Sequence, residues 1–329
     1  MRAIITGIGH FYPEQKLTNK DLEQKLDTND EWITTRTGIK ERRILEDGKG
    51  ASYMAVKAAR MVLEQKNISA DELDLIIMAT ATPDSMVPCS AAWVQKELKA
   101  SKCWGFDLNG ACSGFIFALA TGSQFVETGK HKKVLVIGTD KMSSIIDPED
   151  RNTRIIFGDA AGAVLLEPSE EDDYGVNDFI NHLDGAGGKY LYVPAGGSVL
   201  PPSHETVDKR MHYVKQDGRT VFKNAVIGMY DVSAKVLQRN GLTAKDVKLF
   251  IPHQANIRII NSVAEKMGLN QDQVVINIEK YGNTTAATIP LAMSEAYREK
   301  RMSKGDWILL ASFGAGFTWG SILLKWAID

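Results

Sequence analysis

The sequence contains few cysteines, and their spacing matches no paired motif. Its 329 residues include three, Cys89, Cys103 and Cys112, and no Cys-x-x-Cys pair occurs. An odd number without that spacing argues against a disulfide framework and against a zinc site. The cysteines therefore indicate a reducing compartment and predict no bound metal.

A strong charge bias and long apolar runs are also missing. The formal net charge is −2, so no bulk basic field favours nucleic acid or a membrane surface as the partner. No stretch of 18 apolar residues is present, which argues against a membrane-spanning helix. Residues 1–9 have the pattern of a strand and a turn rather than that of a signal peptide. With a hydrophobic content of 44%, the sequence predicts a globular enzyme of the cytoplasm.

A weak internal repeat is present. Residues 59–77 align without gaps with residues 233–251, and each block has the pattern of a helix, a turn and an apolar strand. Apolar strands beginning at Val134 and at Trp307 are each followed by a Phe-Gly motif. Alternating helices and strands predict parallel sheets with crossover helices, and a period of about half the chain predicts two fused α/β units. The alternative is that unrelated helix–turn–strand units look alike.

The repeat suggests a division of the chain into three parts. Residues 1–170 form an N-terminal half that carries the candidate nucleophile, and residues 219–329 form a C-terminal half that carries a candidate histidine and asparagine. Residues 171–218 are rich in Gly, Pro, Asp and Glu, which predicts connecting and pocket loops.

Cys112 is the candidate nucleophile. It lies between a predicted buried strand, residues 102–108, and a predicted helix, residues 115–128. At a helix N-terminus, unpaired N–H groups and the helix dipole favour a thiolate, so we expect a lowered pKa for this thiol. The alternative is a small buried apolar residue, as we expect Cys89 and Cys103 to be.

Two polar residues of the C-terminal half are candidates to act with this thiol. His253 follows an apolar strand and Pro252, and ligands of α/β sheets gather at the carboxyl ends of strands. Asn283 precedes Thr-Thr and has the pattern of a helix N-cap. Because the repeat places its turn near the counterpart of the Cys112 turn, both halves would offer a helix N-terminus to a shared cleft.

Three motifs carry a resemblance to a known family. Gly-Ala-Cys112-Ser-Gly-Phe, Pro-His253-Gln-Ala-Asn and Gly-Asn283-Thr-Thr-Ala-Ala-Thr-Ile-Pro together resemble β-ketoacyl-acyl-carrier-protein synthase III, of the thiolase-like superfamily. The resemblance extends from Ile4 to Trp326. It implies an α/β fold of the thiolase-like type, with two pseudo-duplicated halves that form a layered α-β-α-β-α core.

The resemblance also implies an activity. Such enzymes transfer an acyl group from coenzyme A to the cysteine and condense it with malonyl-acyl carrier protein, with loss of CO2. This reaction initiates fatty acid biosynthesis and needs no cofactor, since the coenzyme A thioester is a substrate. A ketide synthase or acyltransferase of secondary metabolism, and a pseudoenzyme that binds carrier protein, are the alternatives.

The resemblance further assigns roles to individual residues. The catalytic residues would be Cys112, His253 and Asn283, and the backbone N–H groups of Cys112 and Ala315 would form the oxyanion hole. The residues implied in coenzyme A binding are Trp32, Arg36, Arg151 and Asn256. The basic residues implied in carrier-protein binding are Lys223, Arg258 and Lys266.

The resemblance finally implies a homodimer. The segment from Thr82 to Ala92 would lie at the interface, and Val87 would enter the acyl pocket of the partner. Members selective for acetyl groups carry a bulky aromatic residue at that position, so valine predicts that branched or medium-length primers are accepted alongside acetyl.

Overall fold

Two large β-sheets and three layers of helices form the body of the protein, and two further sheets have two short strands each. A computed structural model describes residues 1–171 and 173–329. The strands are β1 (Arg2–Phe11), β2 (Lys16–Thr18), β3 (Glu41–Arg43), β4 (Leu75–Ala79), β5 (Trp104–Leu108), β6 (Val134–Lys141), β7 (Asp159–Ser169), β8 (Gly175–Leu183), β9 (Leu191–Tyr192), β10 (Lys215–Gln216), β11 (Val247–Pro252), β12 (Trp307–Gly314) and β13 (Thr318–Lys325).

Helices connect and cover these strands. The α-helices are α1 (Asn19–Glu23), α2 (Asp30–Thr37), α3 (Ala51–Lys66), α4 (Ser90–Leu98), α5 (Gly114–Glu127), α6 (Arg151–Arg154), α7 (His204–Asp208), α8 (Gly218–Arg239), α9 (Ile257–Met267), α10 (Ile278–Tyr281) and α11 (Thr288–Arg298). Short 3-10 helices span Ala70–Glu72, Ala111–Ser113, Met142–Ser144, Gly185–Tyr190, Gln271–Gln273 and Thr285–Ala287. None of the helices in the described parts of the chain is long and apolar enough to cross a membrane.

The two main sheets have matching strand orders. The N-terminal sheet has the order β1-β7-β6-β4-β5, and the C-terminal sheet has the order β8-β13-β12-β11. β6 pairs in parallel with β4 in the N-terminal sheet, and β12 pairs in parallel with β11 in the C-terminal sheet. These parallel pairs agree with the sequence prediction. Both sheets are nevertheless mixed, because β6 and β12 each lead into an antiparallel partner, β7 and β13.

Two helices fill the space between the sheets. α5 packs against β4 and β6 of one sheet and against β13 of the other, and α11 packs against β7, β1 and β11. The residues of α5 at the predicted helical spacing, Phe115, Leu119, Gly122 and Val126, are all buried. Each large apolar side chain removed from water in this way contributes about 1.5–3 kcal/mol.

The remaining helices form the outer layers. α3 and α4 cover the N-terminal sheet, and α8 and α9 cover the C-terminal sheet. The result is the five-layered α-β-α-β-α architecture of the thiolase-like fold.

The stretch that was predicted to be connecting loops contains a strand. Within residues 171–218 the structure has β8, which pairs with β13 and forms an edge of the C-terminal sheet. Its polar residues Asn177, Asp178 and Asn181 obscure the alternation that marks a strand in the sequence. The remainder holds short elements and turns, so the C-terminal sheet begins well before residue 219.

The strand before Cys112 is also less buried than the sequence predicted. β5 lies at the edge of its sheet, and Trp104 at its start is 50% exposed. Trp104 packs with Phe106, Phe125 and His131 in an aromatic cluster beside that edge. An edge strand of this kind leaves backbone N–H and C=O groups available to another chain.

Candidate active site

Cys112 lies in a tight turn between β5 and α5. The 3-10 helix Ala111–Ser113 leads directly into α5, and Ala111 has a φ of 47°. The backbone N–H of Ala111 donates to Oδ1 of Asn109 at 3.2 Å, which supports this left-handed conformation. The thiol is thus at the N-terminal end of a helix, as predicted from the sequence.

The end of β12 in the other half closes on this turn. Ser312 donates its hydroxyl to the carbonyl of Cys112 at 2.8 Å. A Cβ atom added to Gly314 would lie 2.8 Å from the backbone nitrogen of Cys112, so no larger residue fits there without a shift. Close packing between the halves therefore fixes the backbone of the candidate nucleophile.

Burial dominates the pKa of the thiol. Cys112 is 6% exposed, and its burial together with the charge of Asp140 raises the pKa to about 12, although its own backbone and the Asn283 side chain act to lower it. The lowered pKa predicted from the helix terminus is therefore wrong. The helix end favours the thiolate, but the loss of hydration outweighs it.

Asn283 is held with its amide group towards the thiol. Its backbone N–H donates to the carbonyl of Ile156 at 2.9 Å, and its own carbonyl accepts from Gly158 at 3.1 Å. Its Oδ1 accepts from the N–H of Thr285 at 2.9 Å, which leaves Nδ2 to interact with Cys112. Thr285 has a φ of 55°, so Asn283 occupies a turn of the same form as the Cys112 turn rather than the simple N-cap predicted.

His253 follows β11 and is buried. Its backbone N–H donates to the carbonyl of Ala311 at 2.8 Å, and its Nδ1 lies 2.7 Å from Oγ1 of Thr288. Its Nε2 is buried without a hydrogen-bond partner among the described residues. Burial lowers the pKa of the imidazole to about 3, so the ring is neutral at physiological pH.

One cavity brings the three candidate catalytic residues together. It has a volume of about 510 Å³ and is lined by Cys112, His253 and Asn283, with Asn256 also in its wall. A second cavity of about 290 Å³ also touches Cys112, and its wall is largely apolar. The residues that line it include Met142, Ile145, Phe157, Leu191, Val193, Val214, Thr285 and Ala315. The thiol thus borders both the cavity that holds His253 and Asn283 and a second, largely apolar cavity.

The residues implied in coenzyme A binding lie near one another. The guanidinium carbon of Arg36 is 4.6 Å from the ring centroid of Trp32, and that of Arg151 is 5.0 Å from it. Arg151 also donates to the carbonyl of Asp27 at 2.8 Å. Because Arg151 is already in contact with the indole, an adenine between them requires Arg151 to move outwards.

Asn256 links this region to the catalytic cavity. Its Nδ2 donates to the carbonyl of Arg36 at 3.0 Å, and its Oδ1 accepts from the N–H of Arg258 at the start of α9. Asn256 therefore serves as an N-cap and ties α2 to α9, in addition to lining the cavity.

The implied carrier-protein residues lie on two adjacent outer helices. Lys223 is on α8, Arg258 and Lys266 are on α9, and all three are exposed. None of them forms an ion pair with a carboxylate within residues 1–171 and 173–329. The cationic group of Arg258 lies over the ring of Phe222, and that of Lys266 lies over the ring of Tyr230, so each is in contact with an aromatic ring.

Ala315 and Val87 occupy different environments. Ala315 borders the apolar cavity beside Cys112, and its φ is negative, whereas the next residue, Gly316, has a φ of 136°. Because alanine adopts a negative φ without strain, the backbone N–H of Ala315 can serve as a donor. Val87 is 82% exposed and lines neither cavity of its own chain.

Sequence reasoning missed Asp140 at the end of β6. One carboxylate oxygen accepts from the N–H of Ala81 at 2.7 Å and from the hydroxyls of Thr80 and Thr82, and the other accepts from the N–H of Ala286 at 3.1 Å. Burial raises the pKa of Asp140 to about 6, against the effect of these bonds. A polar residue at the carboxyl end of an inner strand was the available signal.

Comparison with family models gives two matches. Residues 106–185 match 3-oxoacyl-[acyl-carrier-protein (ACP)] synthase III, and residues 237–326 match its C-terminal domain. A similar curated protein is the β-ketoacyl-[acyl-carrier-protein] synthase III of Chlorobaculum tepidum, 54% identical over 99% of this chain and 100% of its own length. The protein of the same name from Koribacter versatilis is 54% identical over 99% of this chain and 98% of its own.

Solved structures give the same result. The crystal structure of 3-oxoacyl-[acyl-carrier-protein] synthase III from Aquifex aeolicus has a TM-score of 0.91 and 44% identity, and covers 98% of this chain and 100% of that one. The priming β-ketosynthase of the R1128 polyketide pathway has a TM-score of 0.91 and 32% identity, with 99% and 96% coverage.

Proposed function

The chain belongs to the 3-oxoacyl-[acyl-carrier-protein] synthase III family, and from this membership we propose that Cys112 carries the acyl group while His253 and Asn283 serve the condensation. It is an acyltransferase of fatty acid biosynthesis. It transfers a primer acyl group from coenzyme A and condenses it with malonyl-acyl carrier protein, with loss of CO2. The observation that carries the residue roles is the single cavity that Cys112, His253 and Asn283 share.

In the first half-reaction, the Cys112 sulfur attacks the thioester carbonyl of the acyl-CoA. The thioester C–S bond breaks, the acyl group stays on Cys112, and the thiol proton leaves with coenzyme A as the free thiol. The carbonyl oxygen becomes negative in the intermediate, and the N–H groups of Cys112 and Ala315 are the donors that stabilise it. Since burial disfavours a thiolate at Cys112, this reaction depends on those donors and on the α5 terminus.

In the second half-reaction, the C–C bond to the malonyl carboxylate breaks and CO2 leaves. The electron pair of the broken C–C bond stays with the remaining thioester and forms an enolate, whose oxygen needs hydrogen-bond donors. The Nε2 of neutral His253 and the Nδ2 of Asn283 are the donors, and a buried site strengthens both. The enolate carbon then attacks the acyl-Cys112 carbonyl, the 3-oxoacyl group leaves on the carrier protein, and the sulfur takes up a proton.

The coenzyme A and carrier-protein sites extend outwards from this cavity. Trp32 and Arg151 present a flat ring and a planar cation that suit stacking of an adenine. Arg36 lies against Trp32, and its carbonyl accepts a hydrogen bond from Asn256, which lines the cavity beside Cys112. Lys223, Arg258 and Lys266 form an exposed basic patch on α8 and α9, where an acidic carrier protein would dock. No cofactor takes part in this mechanism, because the thiol and the hydrogen-bond donors supply all of its chemistry.

A homodimer with Val87 at the interface is also part of the proposal. Two neighbouring features support it: the unpaired edge of β5 with its half-exposed Trp104, and the loop that carries the exposed Val87. Light scattering at micromolar concentration should give the mass of a dimer, and a monomer mass would contradict it. A cytoplasmic location fits the free thiols, because catalysis requires a reduced Cys112.

Incubation of the purified protein with labelled acyl-CoA and malonyl-acyl carrier protein tests the whole scheme. We expect the label on Cys112, but not on Cys89 or Cys103, followed by release of CO2 and a 3-oxoacyl carrier protein. Mass mapping of the acyl group to another residue would refute the nucleophile.

A ketide synthase of secondary metabolism is not favoured. The priming ketosynthase of polyketide synthesis is 32% identical, whereas relatives named β-ketoacyl-[acyl-carrier-protein] synthase III reach 54%. Acylation without condensation on malonyl-acyl carrier protein would instead favour that alternative.

A further inference from the structure

Thr288 contacts the candidate catalytic histidine from the first residue of α11. Its Oγ1 lies 2.7 Å from Nδ1 of His253 and 3.0 Å from the carbonyl oxygen of Thr285. Both Thr288 and His253 are 2% exposed, so water does not compete for these contacts. The hydroxyl has one proton and two acceptors within reach.

The position of that proton decides the tautomer of the histidine. If the hydroxyl donates to Nδ1, then Nδ1 is an acceptor and the ring proton is on Nε2. If the hydroxyl donates to Thr285, then Nδ1–H must donate to Oγ1, and Nε2 carries a lone pair. Because Nε2 has no hydrogen-bond partner among the described residues, no contact of Nε2 selects between the two forms.

Three observations favour donation to Nδ1. The contact to Nδ1 is the shorter of the two, and 2.7 Å is the most common distance for a hydroxyl donor but lies at the lower end of the range for an N–H donor. The carbonyl of Thr285 already accepts from the backbone N–H of Thr288, so it does not depend on the hydroxyl. Finally, Nδ1 faces the first turn of α11, where the positive end of the helix favours a lone pair over an N–H.

We propose that Thr288 is a positioning residue that holds His253 as the Nε2–H tautomer. The proposal rests on the proposed function, in which Nε2 donates to the enolate oxygen. It adds a residue that does not touch substrate but fixes which nitrogen carries the proton. Without the hydroxyl, a neutral ring could place its proton on Nδ1 and would then present a lone pair to the enolate, which would repel it.

Nitrogen NMR of protein labelled at histidine tests the tautomer directly. At pH 7 we expect His253 with a protonated Nε2 in the wild type and in Thr288→Ser, which keeps the hydroxyl. Thr288→Val keeps the branched shape but has no hydroxyl, and we expect its His253 to shift towards the Nδ1–H form. A wild-type spectrum with protonated Nδ1 would overturn the proposal even if condensation proceeds normally.

Separate assays of the two half-reactions test the consequence. In Thr288→Val, malonyl decarboxylation should fall about tenfold in kcat, because one hydrogen bond selects the tautomer, while acylation of Cys112 changes little. Thr288→Ser should restore the rate. An equal fall in both half-reactions, or no recovery with serine, would indicate a structural role only and refute the proposal.

A matched control is available in the other half. Thr121 on α5 donates to the carbonyl of Phe117 at 2.7 Å, so its hydroxyl proton stays within its own helix, and it lines neither catalytic cavity. Thr121→Val should leave both half-reactions and the His253 spectrum unchanged. If the wild type shows no condensation at all, the proposed function fails, and the NMR result still decides the tautomer.

Discussion

The turns that lead into α5 and α11 share a backbone and differ in chemistry. In each, an asparagine Oδ1 accepts from the N–H two residues later, a left-handed residue follows (Ala111 or Thr285), and a 3-10 helix runs into a buried helix. The residue after the left-handed one is Cys112 in the first turn and Ala286 in the second. The first turn thus holds the proposed nucleophile, and the second has an alanine at the matching position.

The difference extends to the asparagines. Asn109 is exposed and serves its own turn, whereas Asn283 is buried and interacts with the Cys112 thiol. The strands that precede the turns also diverge: β5 is a regular edge strand, while its counterpart beside β11 is reduced to a single bridge between Phe250 and Val274. The N-terminal half therefore carries the proposed nucleophile, and the C-terminal half carries the proposed hydrogen-bond donors.

Moving the thiol from the first turn to the second tests most directly whether the two turns differ in function. Cys112→Ser should abolish acyl transfer, a fall of at least about a thousandfold, because a hydroxyl is a far weaker nucleophile in a site built for a thiol. The double variant with Ala286→Cys should remain inactive, since Ala286 lines neither cavity. Mass spectrometry of the protein after exposure to acyl-CoA checks both. Acylation of the new thiol would show that the two turns are interchangeable.

Removing each asparagine separates the backbone role from the catalytic one. Asn283→Ala and His253→Ala should reduce malonyl decarboxylation about 100- to 1000-fold and acylation of Cys112 much less, because their donors serve the enolate. Asn109→Ala removes the matching hydrogen bond of the first turn, but Asn109 has no proposed role towards the enolate. We therefore expect the rate of either half-reaction to fall by less than about tenfold. Quenched-time assays of Cys112 acylation and of CO2 release measure the two rates separately. Equal losses in both steps for Asn283→Ala and His253→Ala would contradict the assigned roles.

The pH dependence of stability tests whether the buried ring of His253 is uncharged. Burial lowers the pKa of His253 to about 3, so below about pH 6.5 the unfolded chain binds a proton that the native protein does not. The stabilising contribution is full above pH 6.5 and is lost as the pH falls towards 3. Between pH 6.5 and 4.5 the wild type should lose about 2–3 kcal/mol more unfolding free energy than His253→Asn. Urea unfolding at both pH values measures the difference, and parallel losses would contradict a buried neutral ring.

Much of the fold and of the candidate site was predictable because the residues concerned carry strong local signals. The repeat, the buried face of α5 and the three motifs depend on short segments of sequence. The edge strands carry weaker signals: β8 is rich in polar residues, which favour loops, and the apolar residues of β5 predict a buried strand although it lies at a sheet edge. The thiol pKa was predicted in the wrong direction because burial depends on the packing of both halves. Asp140 and Thr288 acquire their partners only when segments far apart in the chain meet.

The segments after β4 and β11 extend the comparison to substrate choice. His253 follows β11 directly and turns inwards, whereas the loop after β4 leads outwards to Val87. In its own chain the apolar cavity beside Cys112 has a volume of about 290 Å³, and Val87 does not line it. If Val87 closes the far end of the cavity of a partner subunit, its small size leaves space for two or three further carbons of the primer.

Val87→Phe should therefore narrow the choice of primer towards acetyl. Each buried methylene of the acyl chain contributes about 0.8 kcal/mol, so two or three carbons change the preference by one to two orders of magnitude, roughly. Values of kcat/KM for acetyl-, isobutyryl-, butyryl- and hexanoyl-CoA, for the wild type and the variant, measure the shift. Val199→Phe is a matched control, because Val199 is also exposed and lines neither cavity. Methionines near the pocket, such as Met142, could refill part of the space, which would reduce the effect. A wild type restricted to acetyl-CoA, with no response to Val87→Phe, would show that the loop after β4 does not set the depth of the pocket.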